Sequence, residues 1–228
     1  VTANVDSTRQ VSALLQVPAE ARACYVLAPG AGAGMAHPFL AAVTAGLAKR
    51  GVATLRYQFP FMERGSRRPD SPNLAHATVR AATAAASRLL PGLPLIAGGK
   101  SFGGRMTSQA QAAAPLPGVQ GIAFVGFPLH PSRRPSDERG QHLFEVRIPM
   151  LFLQGNRDPL AELRLLRPLV ERLGARATLM VLADADHSFH VPARAERKDA
   201  DVMAGMLDAL AGWIDAIINH SRPELPAR

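Results

Sequence analysis

Along this chain, short apolar runs alternate with longer stretches in which apolar residues recur every three or four positions. The runs at Val11–Val17, Ala23–Ala28, Val52–Tyr57, Pro94–Gly98, Val119–Val125, Met150–Gln154 and Ala177–Leu182 read as strands. Helical patterns cover Pro38–Arg50, Ser71–Leu90, Phe102–Ala113, Ala161–Leu173 and Asp199–Asn219. This alternation predicts an α/β fold, a mostly parallel central sheet with helices on both faces. The strands are nearly all apolar, as strands buried on both sides must be.

The helical patterns carry their own detail. In the first, Phe39, Val43 and Leu47 recur at four-residue spacing, and Gly51 follows as a stop. In the last, Met203, Met206, Leu207, Leu210, Trp213, Ile214 and Ile217 form one apolar stripe, which reads as core. No repeat, low-complexity segment or shift in composition marks a linker. Residues 1–228 therefore read as a single domain, with "SRPELPAR" from about 220 to 228 as a C-terminal tail.

Composition narrows the picture modestly. A chain of 228 residues can bury one sizeable core. No apolar run approaches the roughly 18 residues of a membrane span. The opening "VTANVDSTRQ" lacks the basic-then-apolar layout of a secretory signal. Cys24 is the one cysteine, so no intrachain disulfide forms, and a lone thiol fits a reducing, cytoplasmic compartment. It lies in a strand pattern and reads as a core residue. The net charge is +8, almost all of it from scattered arginines. There is no basic helix face and no ladder of aromatic residues for stacking bases, so no nucleic-acid partner is expected.

The chemistry turns on "LPLIAGGKSFGGRM", Leu93 to Met106. A phosphate-binding loop would need a glycine at position 94, where this chain has Pro94, and a flexible spacer where "LIAG" reads as strand. The alternative pattern, Gly-x-Ser-x-Gly, is met by Gly99, Lys100, Ser101, Phe102 and Gly103. With a strand before it and a helix after it, this is the setting of a nucleophile on a sharp turn.

A nucleophilic serine needs a base, and the base needs an orienting acid. On a sheet of this kind the chain order is serine, acid, histidine. Asp158 follows the strand in "PMLFLQGNRDPL", and His187 follows the strand in "ATLMVLADADHSFH". His190 competes with His187, which is favoured as nearer the strand end. Asp184 and Asp186 compete with Asp158 but lie on the same loop as the histidine, whereas a triad acid usually reaches across from the neighbouring strand. The backbone N–H of Phe102 opens a helix toward the reacting carbonyl oxygen. A second oxyanion donor is expected from the loop "PGAGAGMAHPFL", with Ala31 first and Gly32 next. His37 either starts the helix that follows or faces the pocket.

With these motifs assembled, "PGAGAGMAHPFL", "GGKSFGGRM", "LQGNRDPL" and "ADHSFH" resemble the α/β-hydrolase superfamily. More narrowly, they resemble the compact family that includes testis-expressed protein thirty and the third subunit of the NSL complex. They are also similar to dienelactone-hydrolase-like proteins. The resemblance implies Ser101, Asp158 and His187 as nucleophile, acid and base. One departure is Pro29-Gly30, where many relatives have His-Gly.

The expectation is a serine hydrolase acting on a small-molecule carboxylic ester or thioester through an acyl-enzyme. No metal and no organic cofactor is implied, and the oligomeric state is left open. The alternative is a non-catalytic interaction module on the same fold. Segment 127–148 reads as a short loop, so little lid is expected. "QFPFMERGSRRPDSP" is a second candidate rim, and Arg67, Arg68, Arg133 and Arg134 are candidate attractors for an anionic substrate.

Overall fold

A computed structural model describes residues 1–220, and the expected tail at 221–228 lies outside the described residues. The chain builds an eight-stranded sheet in the order β1-β2-β4-β3-β5-β6-β7-β8. The strands are β1 (Thr2–Asn4), β2 (Gln10–Gln16), β3 (Ala23–Ala28), β4 (Val52–Tyr57), β5 (Leu95–Lys100), β6 (Val119–Val125), β7 (Met150–Gly155) and β8 (Ala177–Leu182). The six strands from β4 to β8 in that order are parallel, while β1 and β2 extend one edge antiparallel. Strand β1 was not expected; three residues are too few to show a hydrophobic period.

The helices are α1 (Pro38–Ala48), α2 (Pro60–Glu63), α3 (Pro72–Leu89), α4 (Phe102–Ala113), α5 (Leu163–Leu173) and α6 (Asp199–His220). Helices α1 and α6 cover one face, where Leu40, Val43 and Leu47 meet Met206, Leu210 and Ile214 over Tyr25, Leu27 and Ile96. On the other face, Val79 and Ala82 of α3 and Met106 and Ala110 of α4 pack on Val26, Leu55 and Ala97. Each fully buried leucine or isoleucine side chain contributes about 1.5–3 kcal/mol by leaving water. Charged partners pin the outer layer: Arg22 grips Asp215 of α6 through two nitrogens. No helix among the described residues is long and apolar enough to cross a membrane.

Two segments differ from expectation. Within 127–148 the chain forms a 3₁₀ helix at Glu138–Glu145. Leu143 and Val146 are buried there with Phe124, Phe152 and Leu169, and His142 reaches Ser108 of α4 at 2.8 Å. The segment is thus packed down on the body. The candidate rim after β4 likewise turns inward as α2, burying Phe59 and Phe61. The Asp70 carboxylate fixes that turn by accepting from the Phe61 N–H at 2.9 Å.

What matters for function is the register. Ala28 pairs with Gly99, Gly99 with Phe124, Val125 with Leu153 and Gly155 with Leu182. The C-terminal ends of β3, β5, β6, β7 and β8 therefore lie along one edge. The loops that leave that edge are drawn together, as in open parallel sheets generally.

Candidate active site

Strand β5 ends at Lys100, and Ser101 turns directly into α4 with φ 50° and ψ −116°. A non-glycine residue at positive φ is strained by about 1–3 kcal/mol and needs support from its surroundings. Here the Ser101 N–H donates to the Val125 carbonyl at 3.2 Å, and its own carbonyl accepts from the Arg105 N–H at 3.1 Å. Phe102 wedges edge-on against Phe59 at 5.2 Å and Phe61 at 6.1 Å, fixing the start of the helix. The glycines of the motif are steric. A Cβ on Gly103 would lie 2.5 Å from the Pro29 carbonyl oxygen, and one on Gly99 would run into the Ala28 backbone. Strand β3 can approach the turn this closely only because both side chains are missing.

His187 comes from the loop after β8. Its Nε2 lies 2.8 Å from the Ser101 Oγ, and its Nδ1 lies 2.6 Å from the Asp158 Oδ2. Asp158 comes from the turn after β7, and its carboxylate is wholly buried. The turn supplies what a buried carboxylate requires. The Leu160 N–H donates to Oδ1 at 2.8 Å, and the Gln154 amide donates to Oδ2. Gln154 in turn accepts from the Phe127 N–H at 2.9 Å, so the acid is braced through β7 to the end of β6. The structure thus brings Ser101, His187 and Asp158 into one hydrogen-bonded line.

The competing residues fall elsewhere. His190 pairs with Asp199 at the start of α6, 2.7 Å away and exposed. Asp186 organises the histidine loop, its Oδ1 accepting from the N–H groups of Ser188 at 2.7 Å and His190 at 3.0 Å. Asp184 sits at φ 59° in the same turn.

A pocket of about 370 Å³ opens over Ser101 and His187. Its walls include Ala31, Phe39, Leu40 and Leu160. Phe39 stacks on Phe189 at 5.7 Å, joining α1 to the histidine loop. Ala31 lines this pocket and Phe102 follows Ser101 directly; among the described residues no backbone carbonyl takes either N–H. Gly30 lies against Lys100 and Ser101. His37 meets both expectations, because its Nδ1 accepts from the Phe39 N–H at 3.2 Å while the residue also lines the pocket. Arg67, Arg68, Arg133 and Arg134 are not among the pocket's lining residues; Arg134 lines a separate surface depression with His130 and Arg139.

Two residues were missed in the sequence. Gln154 is a buried amide ending an apolar strand, and that mismatch was the available signal. Lys100 is the other. Its Nζ donates to the His187 carbonyl at 2.6 Å and stands 5.3 Å over the Phe189 ring. Burial brings its ammonium down to about 8, with Asp158 and Asp186 acting in the opposite direction. Cys24 is core, as expected, and burial pushes its thiol up to about 12.

Residues 21–215 match the alpha/beta hydrolase domain family. A dienelactone hydrolase from Anabaena variabilis superposes with a TM-score of 0.73 at 22% identity, over 96% of this chain and 95% of that one. A serine hydrolase without a lid from Xanthomonas campestris gives 0.71 at 18% identity, over 100% and 95%. An esterase domain from Rhodothermus marinus gives 0.72 at 17% identity, over 96% and 98%. These likenesses share the fold, and the match over most of the chain places this protein in the alpha/beta hydrolase family.

Proposed function

We infer that the protein is a serine hydrolase that cleaves a carboxylic ester or thioester through an acyl-enzyme on Ser101. The observation that carries this reading is the hydrogen-bonded line from Ser101 through His187 to a buried Asp158, at 2.8 and 2.6 Å, on the floor of a pocket. Esterase and dienelactone hydrolase activities named for structural neighbours agree with it.

The steps follow from the positions. His187 Nε2 takes the Ser101 proton as Oγ bonds to the acyl carbon. The oxyanion that forms faces the N–H groups of Phe102 and Ala31. As the tetrahedral intermediate collapses, the bond to the leaving oxygen or sulfur breaks, and that atom takes the proton from His187. Water then repeats the sequence on the acyl-serine, releasing the acid and restoring Ser101. Asp158 holds the His187 Nδ1–H and stabilises the imidazolium. A pocket of this size, walled by Phe39, Leu40 and Leu160, favours a short acyl group.

The test is covalent labelling by a fluorophosphonate probe, with turnover of p-nitrophenyl acetate, butyrate and palmitate and of an acetyl thioester. Labelling of wild type at Ser101 and loss of both signals in folded Ser101→Ala are expected, with the acetate and butyrate turned over faster than the palmitate. Folded wild type that neither labels nor turns over would leave an interaction module as the better reading.

A further inference from the structure

Lys100 is unusual among the charged groups of this protein. It lies on β5 directly before Ser101, on the face that Ile96 shares with α1 and α6. Its side chain lines the pocket and is half-buried, and the nitrogen has no carboxylate within ion-pair distance among the described residues. Drawing an ammonium partly out of water is costly unless a polar partner meets it there. What it meets is the histidine loop. It donates to the backbone carbonyl of His187 and rests over Phe189, which stacks on Phe39.

The surroundings are built to admit it. Gly126, just past β6, has φ 73°. A Cβ there would lie 3.1 Å from the Lys100 Nζ and 3.5 Å from the His187 ring. Ammonium and imidazole therefore flank the same point, and the missing side chain leaves them room. The charged groups facing the ammonium are Asp158 from the loop after β7 and Asp186 and His187 from the loop after β8. Helix α1 brings the apolar Phe39 and Leu40 to the pocket, and the titratable His37, which caps α1, lines it as well.

We propose that Lys100 is a positioning residue for the reaction, its ammonium tying the loop that carries the base to the strand that carries the nucleophile. Ser101 and His187 arrive from β5 and β8, with β6 and β7 between them in the sheet. Lys100 spans that gap in one hydrogen bond, next in sequence to the nucleophile and on the backbone of the base itself. A charge-assisted bond of this kind is roughly twice as strong as a neutral one. Loss of the proton therefore weakens the tether without removing it.

The inference rests on the triad reading, and the experiment separates the two. Lys100→Met, Lys100→Gln and Lys100→Arg are compared with wild type and Ser101→Ala, using p-nitrophenyl acetate from pH 6 to 10. Lys100→Met is expected to lower kcat about tenfold to a hundredfold with KM within about twofold, the scale on which a misplaced group slows a reaction. Lys100→Arg is expected to recover most of the loss. In wild type, kcat is expected to decline above about pH 8 as the ammonium deprotonates. That decline should be absent from Lys100→Arg, whose guanidinium keeps its charge. A purely structural lysine would not give the arginine variant a flatter alkaline limb. Hydrogen exchange in segment 183–191 supplies a readout independent of turnover, and both uncharged variants should exchange faster there. Lys100→Gln carries the comparison if Lys100→Met does not fold. Unchanged kcat and unchanged exchange in a folded uncharged variant would overturn the proposal. Full turnover by Ser101→Ala would instead remove the triad reading, leaving the tether to be judged by exchange alone.

Discussion

Two histidine–carboxylate pairs leave the same loop, three residues apart, and sit in different surroundings. His187 meets Asp158 at 2.6 Å and His190 meets Asp199 at 2.7 Å, so the bonds themselves hardly differ. Their surroundings do. The Asp158 carboxylate is wholly buried and further bonded by Gln154 and the Leu160 N–H, and the far side of His187 faces a strained serine. The pair at His190 is mostly exposed, and Asp199 spends its second oxygen on the Val191 N–H. In the proposed mechanism one pair passes a proton to a neighbour held in place; the other closes the loop onto the first turn of α6. A histidine beside an aspartate is thus no site by itself. The third partner and the exclusion of water make the difference.

The comparison breaks first at the buried pair. His187→Ala should lower esterase turnover by about three to six orders of magnitude, as losses of a triad base do. Asp158→Asn should lose about four orders, because the amide favours the wrong tautomer of His187. Steady-state kinetics on p-nitrophenyl butyrate checks both, with near-ultraviolet circular dichroism to confirm folding. If Asp158→Asn stays within tenfold of wild type, the buried pair is not what sets the rate.

A smaller effect sharpens the same contrast. Gln154→Leu keeps the volume of a buried side chain but takes one donor from Asp158 and the acceptor from the Phe127 N–H. Stability should fall by about 1–3 kcal/mol, the range for leaving a buried polar group unpaired. Turnover should fall about tenfold as the acid loosens. Urea unfolding and kinetics read the two effects separately. A loss of stability with full activity would show that Gln154 braces the fold and leaves the acid alone.

Most of this contrast is not visible in a string of residues. The strands at Ala23–Ala28, Val52–Tyr57, Val119–Val125 and Ala177–Leu182 and the helix at Phe102–Ala113 match the pattern, because apolar runs between glycines and prolines define them locally. The serine turn is legible for the same reason, since its strand, its glycines and its helix are contiguous. The histidine could be ranked by its distance from a strand end, and the acid by its lying on a different loop from the histidine, both of which follow from the order of elements along the chain. Whatever depends on strand order is hidden. That Lys100 reaches the His187 carbonyl, or that Gln154 braces Asp158, follows from β5 to β8 lying side by side. The 3₁₀ helix at Glu138–Glu145 was hidden differently. Its sequence, "ERGQHLFE", is mostly polar, and only packing against Leu129 and Leu169 shows why Gly140 and Leu143 are buried.

The exposed pair gives the smallest effect and the clearest control. The hydrogen bond that His190 donates to Asp199 raises the His190 imidazole above its usual 6.5, and the same bond lowers Asp199 below its usual 3.8. A histidine raised in the folded state lends stability that is fully present below its unfolded value and is lost as pH rises through its folded value. The aspartate works in the other direction, lending stability above its unfolded value that is lost as pH falls through its folded one. Both contributions are present together in mildly acidic solution, near pH 5 to 6. His190→Ala should therefore lower the thermal midpoint most in that range and least above about pH 8. Salt should shrink the difference, because the pair stands in water. At pH 8 turnover should stay within about twofold of wild type, since the Asp186 bonds that shape the loop end on backbone N–H groups. Thermal unfolding at pH 5.5 and 8.5, with and without 0.5 M sodium chloride, reads the first effect, and p-nitrophenyl butyrate reads the second. A His190→Ala variant as inactive as His187→Ala would mean that the two pairs form one device, and the division drawn between them would fail.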